Sequence, residues 1–311
     1  MLVRAPTRHY ADWITDSHRW DDYVAREGDV IIATAPKCGT TWVQRIVGLL
    51  IFNDPTPRSV DDESPWVDMA ILPLDATIAS IEAQSHRRYL KSHLPFECLP
   101  IYDEVRYIHV ARDGRDACMS VHGMVSGRKR SAQDAVTSSG LTEAYSGVPE
   151  GPCEFFRYWL STSVTAGQSD GAPFISFFDV VASFWPERHR DNLLMVHYSD
   201  LRADLDGEMR RIAAFLGIPI DEARWPELVQ AATFDEMKKS GAQIKPHVVH
   251  GLEKGADGFF NKGTGGSWRG HLTDQDLELY QAKVGEKFSR GLAAWIEHGR
   301  LGAGDPRQSD N

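Results

Sequence analysis

In Ala35-Pro36-Lys37-Cys38-Gly39-Thr40-Thr41-Trp42, a lysine, a glycine and two threonines follow a proline at once. The apolar run before them reads as a strand. After them Trp42, Val43, Ile46, Val47 and Leu50 recur at helical spacing. A turn at a helix N-terminus collects unsatisfied backbone N–H groups and the positive end of the helix dipole, which makes it an anion site. Lys37 adds a point charge, and Thr40 and Thr41 add hydroxyl donors. The pattern predicts a loop that holds a phosphate-like group. It is not a Walker A loop, which needs G-x-x-x-x-G-K-[ST]; here the lysine precedes the glycine. A nucleotide-driven kinase is disfavoured on that ground.

Two more clusters could do chemistry. His93, in Lys91-Ser92-His93-Leu94-Pro95, offers an imidazole, the side chain best matched to proton transfer near neutrality. A lone loop histidine is most often structural, and the flanking Lys91 and Pro95 raise the functional reading. Arg112, in Arg112-Asp113-Gly114-Arg115-Asp116, can bind an anion by a bidentate fork or simply pair with its acidic neighbours. His109, His122 and His197 read as structural.

Each cluster follows a strand signal. Val30–Ala35, Tyr89–Ser92, Arg106–Ala111 and Leu193–His197 are short β-type runs, and helical patterns come between them. The helix Gly207–Leu216 stops at Gly217, with Pro219 just beyond. Strands alternating with helices predict an α/β domain with a central parallel sheet covered by helices on both faces. In such sheets ligands bind past the carboxyl ends of the strands, where these clusters fall. Gly123–Pro152 and Gly241–Trp268 break the alternation; the first reads as a long loop or lid, the second as a long glycine-rich loop. One domain over residues 1–301 and a disordered tail over 302–311 are expected.

Composition narrows the classes. Of 311 residues, 42% are hydrophobic and 25% charged, as in ordinary globular chains. A net charge of −10 argues against a nucleic-acid binder, so any anionic ligand must be held by local cations. The N-terminus has no apolar leader and no run is long enough to cross a bilayer, which excludes membrane insertion on this reading. Cys38, Cys98, Cys118 and Cys153 form no CxxC pair and read as free thiols in the cytoplasm. No ligand cluster for a metal is visible.

Taken in order, the segments resemble the cytosolic-type sulfotransferases, which use the donor PAPS (3′-phosphoadenosine 5′-phosphosulfate) and release PAP. Pro36 to Trp42 is similar to the family's phosphosulfate loop. Lys91 to Pro95 is similar to its K-[ST]-H-L-P segment, and Arg112 with Ser120 to its 3′-phosphate pair. Tyr198, Phe234 with Met237, and Asn261-Lys262-Gly263-Thr264-Gly265-Gly266-Ser267-Trp268-Arg269 follow in family order, from about residue 28 to about residue 295. The resemblance implies a P-loop-like fold and sulfuryl transfer to a hydroxyl. His93 would be the general base, Lys37 would hold the bridging and 5′-phosphate oxygens, and Lys91 would grip the sulfuryl group. Cys38, Gly39, Thr40 and Thr41 would cradle the 5′-phosphate; Arg112, Ser120 and Lys262 would bind the 3′-phosphate. Trp42 and Phe234 would sandwich the adenine, with Tyr198 and Met237 beside it. No metal is implied. Two alternatives stand beside it: a P-loop-type small-molecule kinase, which the absent Walker A loop argues against, and a protein that holds PAP or PAPS without turnover, which retention of both Lys91 and His93 argues against.

Several positions depart from the family pattern. Cys38 replaces a serine, Asn261 an arginine, and Ala232 a threonine. The family's homodimer motif falls on Arg269…Thr273-Asp274…Glu278, where an aspartate replaces a valine that would be buried, and this argues against dimerisation by that route. Trp66, Phe96, Tyr145, Phe155, Phe156, Trp159, Phe178 and Trp185 fall where relatives line the acceptor site. They suggest a small apolar phenol or alcohol as acceptor. Phe155, Phe156 and Trp159, at helical spacing, serve equally as core.

Overall fold

The computed structural model describes residues 1–127, 147–246, 254–260 and 263–309. Four strands form a parallel sheet. Numbering strands in chain order, β2 is Val30–Thr34, β3 Tyr89–Ser92, β5 Arg106–Ala111 and β6 Leu193–His197, in the spatial order β3-β2-β5-β6. The register pairs Ile32 with Lys91 and with Ile108, and Val110 with Val196. A small antiparallel pair, β1 (Leu2–Arg4) with β4 (Ile101–Tyr102), lies apart from it.

The sheet is covered on both faces, as the alternation predicts. Every residue of β2 is buried, which explains its unbroken apolar run: a central strand with helices on both sides has no polar face to show. Ile31, Ala33 and Tyr107 pack into one core with Phe156, Phe178 and Trp295. Val30, Ile32 and Ile108 pack into the other with Ile46, Met209 and Leu228. Three strands end where the sequence places them, and β2 stops one residue short of Ala35.

The helices show where local pattern misled. The Arg112 cluster opens the helix Gly114–Ser126, which carries four residues, Gly123 to Ser126, into the expected loop or lid. Residues 128–146, with Tyr145, lie outside the described residues. Among the described residues of the expected loop Gly241–Trp268 are two short helices, Gly241–Ile244 and Gly255–Phe259. The helix at 207 begins two residues earlier, because Asp204 caps it through the Gly207 N–H. The tail expected to be disordered instead forms a turn at Pro306–Gln308. Arg188, itself buried, donates to the carbonyls of Pro306 and Ser309 and ties it down. Asp274 stands exposed at the start of the helix Asp274–Lys287, next to Thr273, whose hydroxyl closes a capping box with Asp276. All four cysteines are unpaired. Among the described residues no helix is long and apolar enough to cross a membrane.

Candidate active site

A cavity of about 660 Å³ opens at the carboxyl edge of the sheet, and the residues that end the strands line its floor. The loop after β2 supplies Lys37 and Gly39, both with left-handed backbones at φ 66° and 109°. That conformation strains any residue with a Cβ, so its adoption by Lys37 marks a position held for its side chain. A Cβ on Gly39 would come within 3.0 Å of the Tyr198 ring, so glycine is required twice over. The helix Thr40–Phe52 starts there with no side chain capping it. Its first N–H groups lie at the cavity, with Thr40 and Thr41 among the residues that line it.

His93 stands at the end of β3, buried, with its ring anchored. Its Nδ1 lies 2.7 Å from the Thr34 carbonyl, which can only accept, so Nδ1 carries the proton and the Nε2 lone pair is the basic one. Burial, and after it the nearby Lys91 charge, holds the imidazole well below its usual range. It is therefore neutral at physiological pH, ready to take a proton. Thr34 also bonds Thr40 Oγ1 at 2.5 Å, linking the histidine to the helix start.

Lys91 lies 3.8 Å from the centre of the Trp66 ring, and that ring meets His93 edge-on at 4.7 Å. Burial, then the charge of Lys245, pulls the Lys91 ammonium down to about 7. The organiser of this cluster is Asp68, fully buried, which accepts from Trp66 Nε1 at 2.7 Å, Trp20 Nε1 at 3.1 Å and the His93 N–H at 3.1 Å. Sequence reading did not single it out; a carboxylate two residues from a tryptophan carries no signal by itself.

Arg112, past β5, lies over the Tyr198 ring at 4.2 Å. Its Nη atoms reach the carbonyls of Lys37 and Thr264 at 3.3 and 3.4 Å, long for hydrogen bonds, and its buried Nε has no partner among the described residues. A guanidinium so placed has donors to spare for an anion. Ser120 lines the same wall two turns along the helix. The Thr264–Ser267 loop is pinned there by Asp116, which accepts from the N–H groups of Gly266 and Ser267 and from the Ser267 hydroxyl. Asp116, read from sequence as a partner for arginine, instead organises this loop. Gly263 presses against the face of Phe234, where a Cβ would come within 2.7 Å. Asn261 and Lys262 lie outside the described residues.

Trp42 donates to the Ala232 carbonyl, and its ring meets Phe234 at 6.5 Å with an interplanar angle of 68°. The two rings share a wall with Tyr198 and Met237 but are crossed rather than parallel, so they do not form the two faces of a slot. Cys38 is fully buried, facing away from the cavity lining, and burial pushes its thiol up to about 12.

The outer wall differs from expectation. Of the eight aromatics assigned to it, Trp66 alone among the described residues lines the cavity. Phe155, Phe156, Trp159, Phe178 and Trp185 are core, as is Phe96. The wall is made instead by Trp13, Ile14, Met69, Met119, Met124 and Phe174, with His122 among them. Lys245, 3% exposed, also faces the cavity and is ion-paired with Asp61.

A parallel α/β sheet with an uncapped helix start and a lysine at its carboxyl edge suits the binding of an anionic ligand. Residues 27–291 match the sulfotransferase domain family. The glycolipid sulfotransferase of Mycobacterium bovis is 33% identical, with 94% of this chain and 95% of the relative aligned. Human sulfotransferase 1C2 is 26% identical over 84% of this chain and 85% of its own. The fold superimposes on mouse sulfotransferase SULT7A1 complexed with PAP (TM-score 0.65, 21% identity, 87% and 88% covered). It does so too on retinol dehydratase complexed with retinol and PAP (TM-score 0.65, 22% identity, 88% and 85% covered). The chain belongs to the sulfotransferase domain family and is a sulfotransferase.

Proposed function

We propose that this enzyme transfers the sulfuryl group of PAPS to the hydroxyl of an acceptor with an apolar body, in the cytoplasm. The observation that carries the reading is the convergence of Lys37, Lys91, the basic nitrogen of His93 and the uncapped start of the Thr40 helix on one cavity floor. His93 Nε2 accepts the acceptor's hydroxyl proton as the oxygen–sulfur bond forms. The bond between sulfur and the bridging phosphate oxygen breaks, and Lys37 balances the charge left on that oxygen. Lys91 holds the transferring group. The spare donors of Arg112, with Ser120 and Lys262, take the 3′-phosphate; Trp42, Tyr198, Phe234 and Met237 border the adenine. The four unpaired thiols fit a reducing compartment.

The acceptor reading widens from a small phenol or alcohol to an amphiphile. Relatives 33% identical to this chain are glycolipid sulfotransferases, and a wall of tryptophan, phenylalanine and three methionines adapts to a long apolar body. The test is transfer of labelled sulfate from PAPS, with calorimetry of PAP and ATP. Label on the acceptor and PAP binding without ATP binding support the reading. ATP binding without PAP binding overturns it in favour of a kinase, and PAP binding without transfer to any hydroxyl leaves a carrier.

A further inference from the structure

Lys245 is a buried ammonium on the cavity wall to which neither the sequence motifs nor the proposed transfer step gives a role. It follows the short helix Gly241–Ile244, to which its N–H bonds through the Gly241 carbonyl. Its side chain is 3% exposed yet lines the cavity that Lys91 and His93 share. An ammonium carries three donors. Among the described residues Asp61 is the one group this ammonium bonds, and Asp61 is not on the cavity wall. Asp61 anchors the ammonium, and the remaining N–H groups are directed donors. A buried donor without an acceptor is costly, and a ligand oxygen there relieves that cost. Trp13, Ile14, Met69 and Phe174 on the outer wall offer no charged donor, and the Nε2 of His122 there is taken by the Glu150 carbonyl.

We infer that Lys245 is a specificity-determining residue that donates to a second oxygen beside the reacting hydroxyl, so that the acceptor is a vicinal diol or sugar-like polyol on an apolar tail. The inference rests on the sulfotransfer reading and refines its acceptor. A site built to hydrogen-bond an oxygen rejects the analogue that lacks it, because its own donor is then stranded. An isolated alcohol or a simple phenol strands Lys245; a diol does not.

The test compares two acceptors that differ by one hydroxyl, the hexyl monoether of glycerol and the hexyl monoether of trimethylene glycol, each with labelled PAPS. The wild-type enzyme should favour the glycerol ether in kcat/KM by about 10- to 100-fold, the size of one hydrogen bond to a charged group. Lys245→Met should bring the ratio close to one, and Lys245→Arg should restore part of it. Because Lys245→Met strands Asp61, the pair Lys245→Met with Asp61→Asn is measured alongside and should give the same collapsed ratio. A wild-type ratio near one, or a ratio unchanged in both variants, overturns the inference and leaves the sulfotransfer reading standing. Weaker PAP binding with an unchanged ratio overturns it too, making Lys245 a donor ligand. An enzyme that neither binds PAP nor transfers label fails at the sulfotransfer reading itself.

Discussion

The inner and outer halves of the cavity are built on opposite plans. The inner half comes from contiguous chain: each of β2, β3, β5 and β6 ends and within a few residues delivers a group that lines the cavity, Lys37, His93, Arg112 and Tyr198. The outer half is assembled from single residues far apart, among them Trp13, Met69, Met124, Phe174 and Lys245. A parallel sheet fixes the first plan, because its carboxyl edge gathers whatever follows each strand. The second depends on how helices and long connections fold back over that edge. The inner half should therefore respond to substitution in chemistry and donor binding, and the outer half in acceptor KM.

The sharpest break is His93→Ala. Removing a positioned general base should lower kcat by about 10²- to 10⁴-fold, with PAP affinity within about threefold of wild type. Stopped-assay kinetics with calorimetry reads both. Activity close to wild type would remove His93 from the proton path. Next is Arg112→Ala, which should weaken PAP by about 10- to 100-fold, the size of a charged hydrogen bond, and leave an analogue without the 3′-phosphate nearly unaffected. Equal losses for both ligands would show that Arg112 serves the loop, through the Lys37 and Thr264 carbonyls, and not the ligand.

How much could be read in the chain follows the same division. Strand ends and the residues after them were legible because the apolar runs are short, buried on both faces and stopped by proline, glycine or charge. Lys37, His93 and Arg112 needed no tertiary knowledge. Asp68 was illegible because its role is to receive two indoles and one amide from elements that meet only in the fold. The aromatic pattern Phe155, Phe156, Trp159 looks alike whether it faces a ligand or a core, and here it faces the core. Lys245 lay in a stretch read as an irregular loop, where no periodicity assigns a face.

Acid should test the inner half as structure. His109, on β5 and stacked on Phe184, and His197, at the end of β6, are held by burial at about 3 and about 4. An unfolded chain titrates its histidines near pH 6.5, so between that pH and the folded values it binds more protons than the native state. Stability then falls as pH drops below about 6.5, by roughly 1 kcal/mol per pH unit for each histidine. Urea unfolding at pH 7.5 and 5.5 checks this. Equal midpoints would mean that the pair is protonated or solvated in the native state. The outer half should answer more weakly. Met119→Ala with Met124→Ala should raise acceptor KM about fivefold for an apolar-tailed alcohol, from lost contact, with PAP affinity unchanged. A change in PAP affinity instead would erase the division between the halves.

The smallest effect belongs to Cys38, inside the donor loop yet outside the cavity. Its backbone can serve the loop whatever the side chain is. The thiol points into the core, where burial pushes it up to about 12, far from reactive thiolate. Its Sγ lies 3.8 Å from the Pro36 carbonyl, a contact that a hydroxyl can take over. Cys38→Ser should therefore change PAP affinity by less than about threefold, and mass spectrometry after iodoacetamide treatment of the native enzyme should find Cys38 unmodified, since the alkylating agent meets a protonated and inaccessible sulfur. A large loss in Cys38→Ser would show that the loop is held by side-chain packing from below rather than by its left-handed backbone at Lys37 and Gly39. The inner half would then depend, like the outer, on contacts that no contiguous motif records.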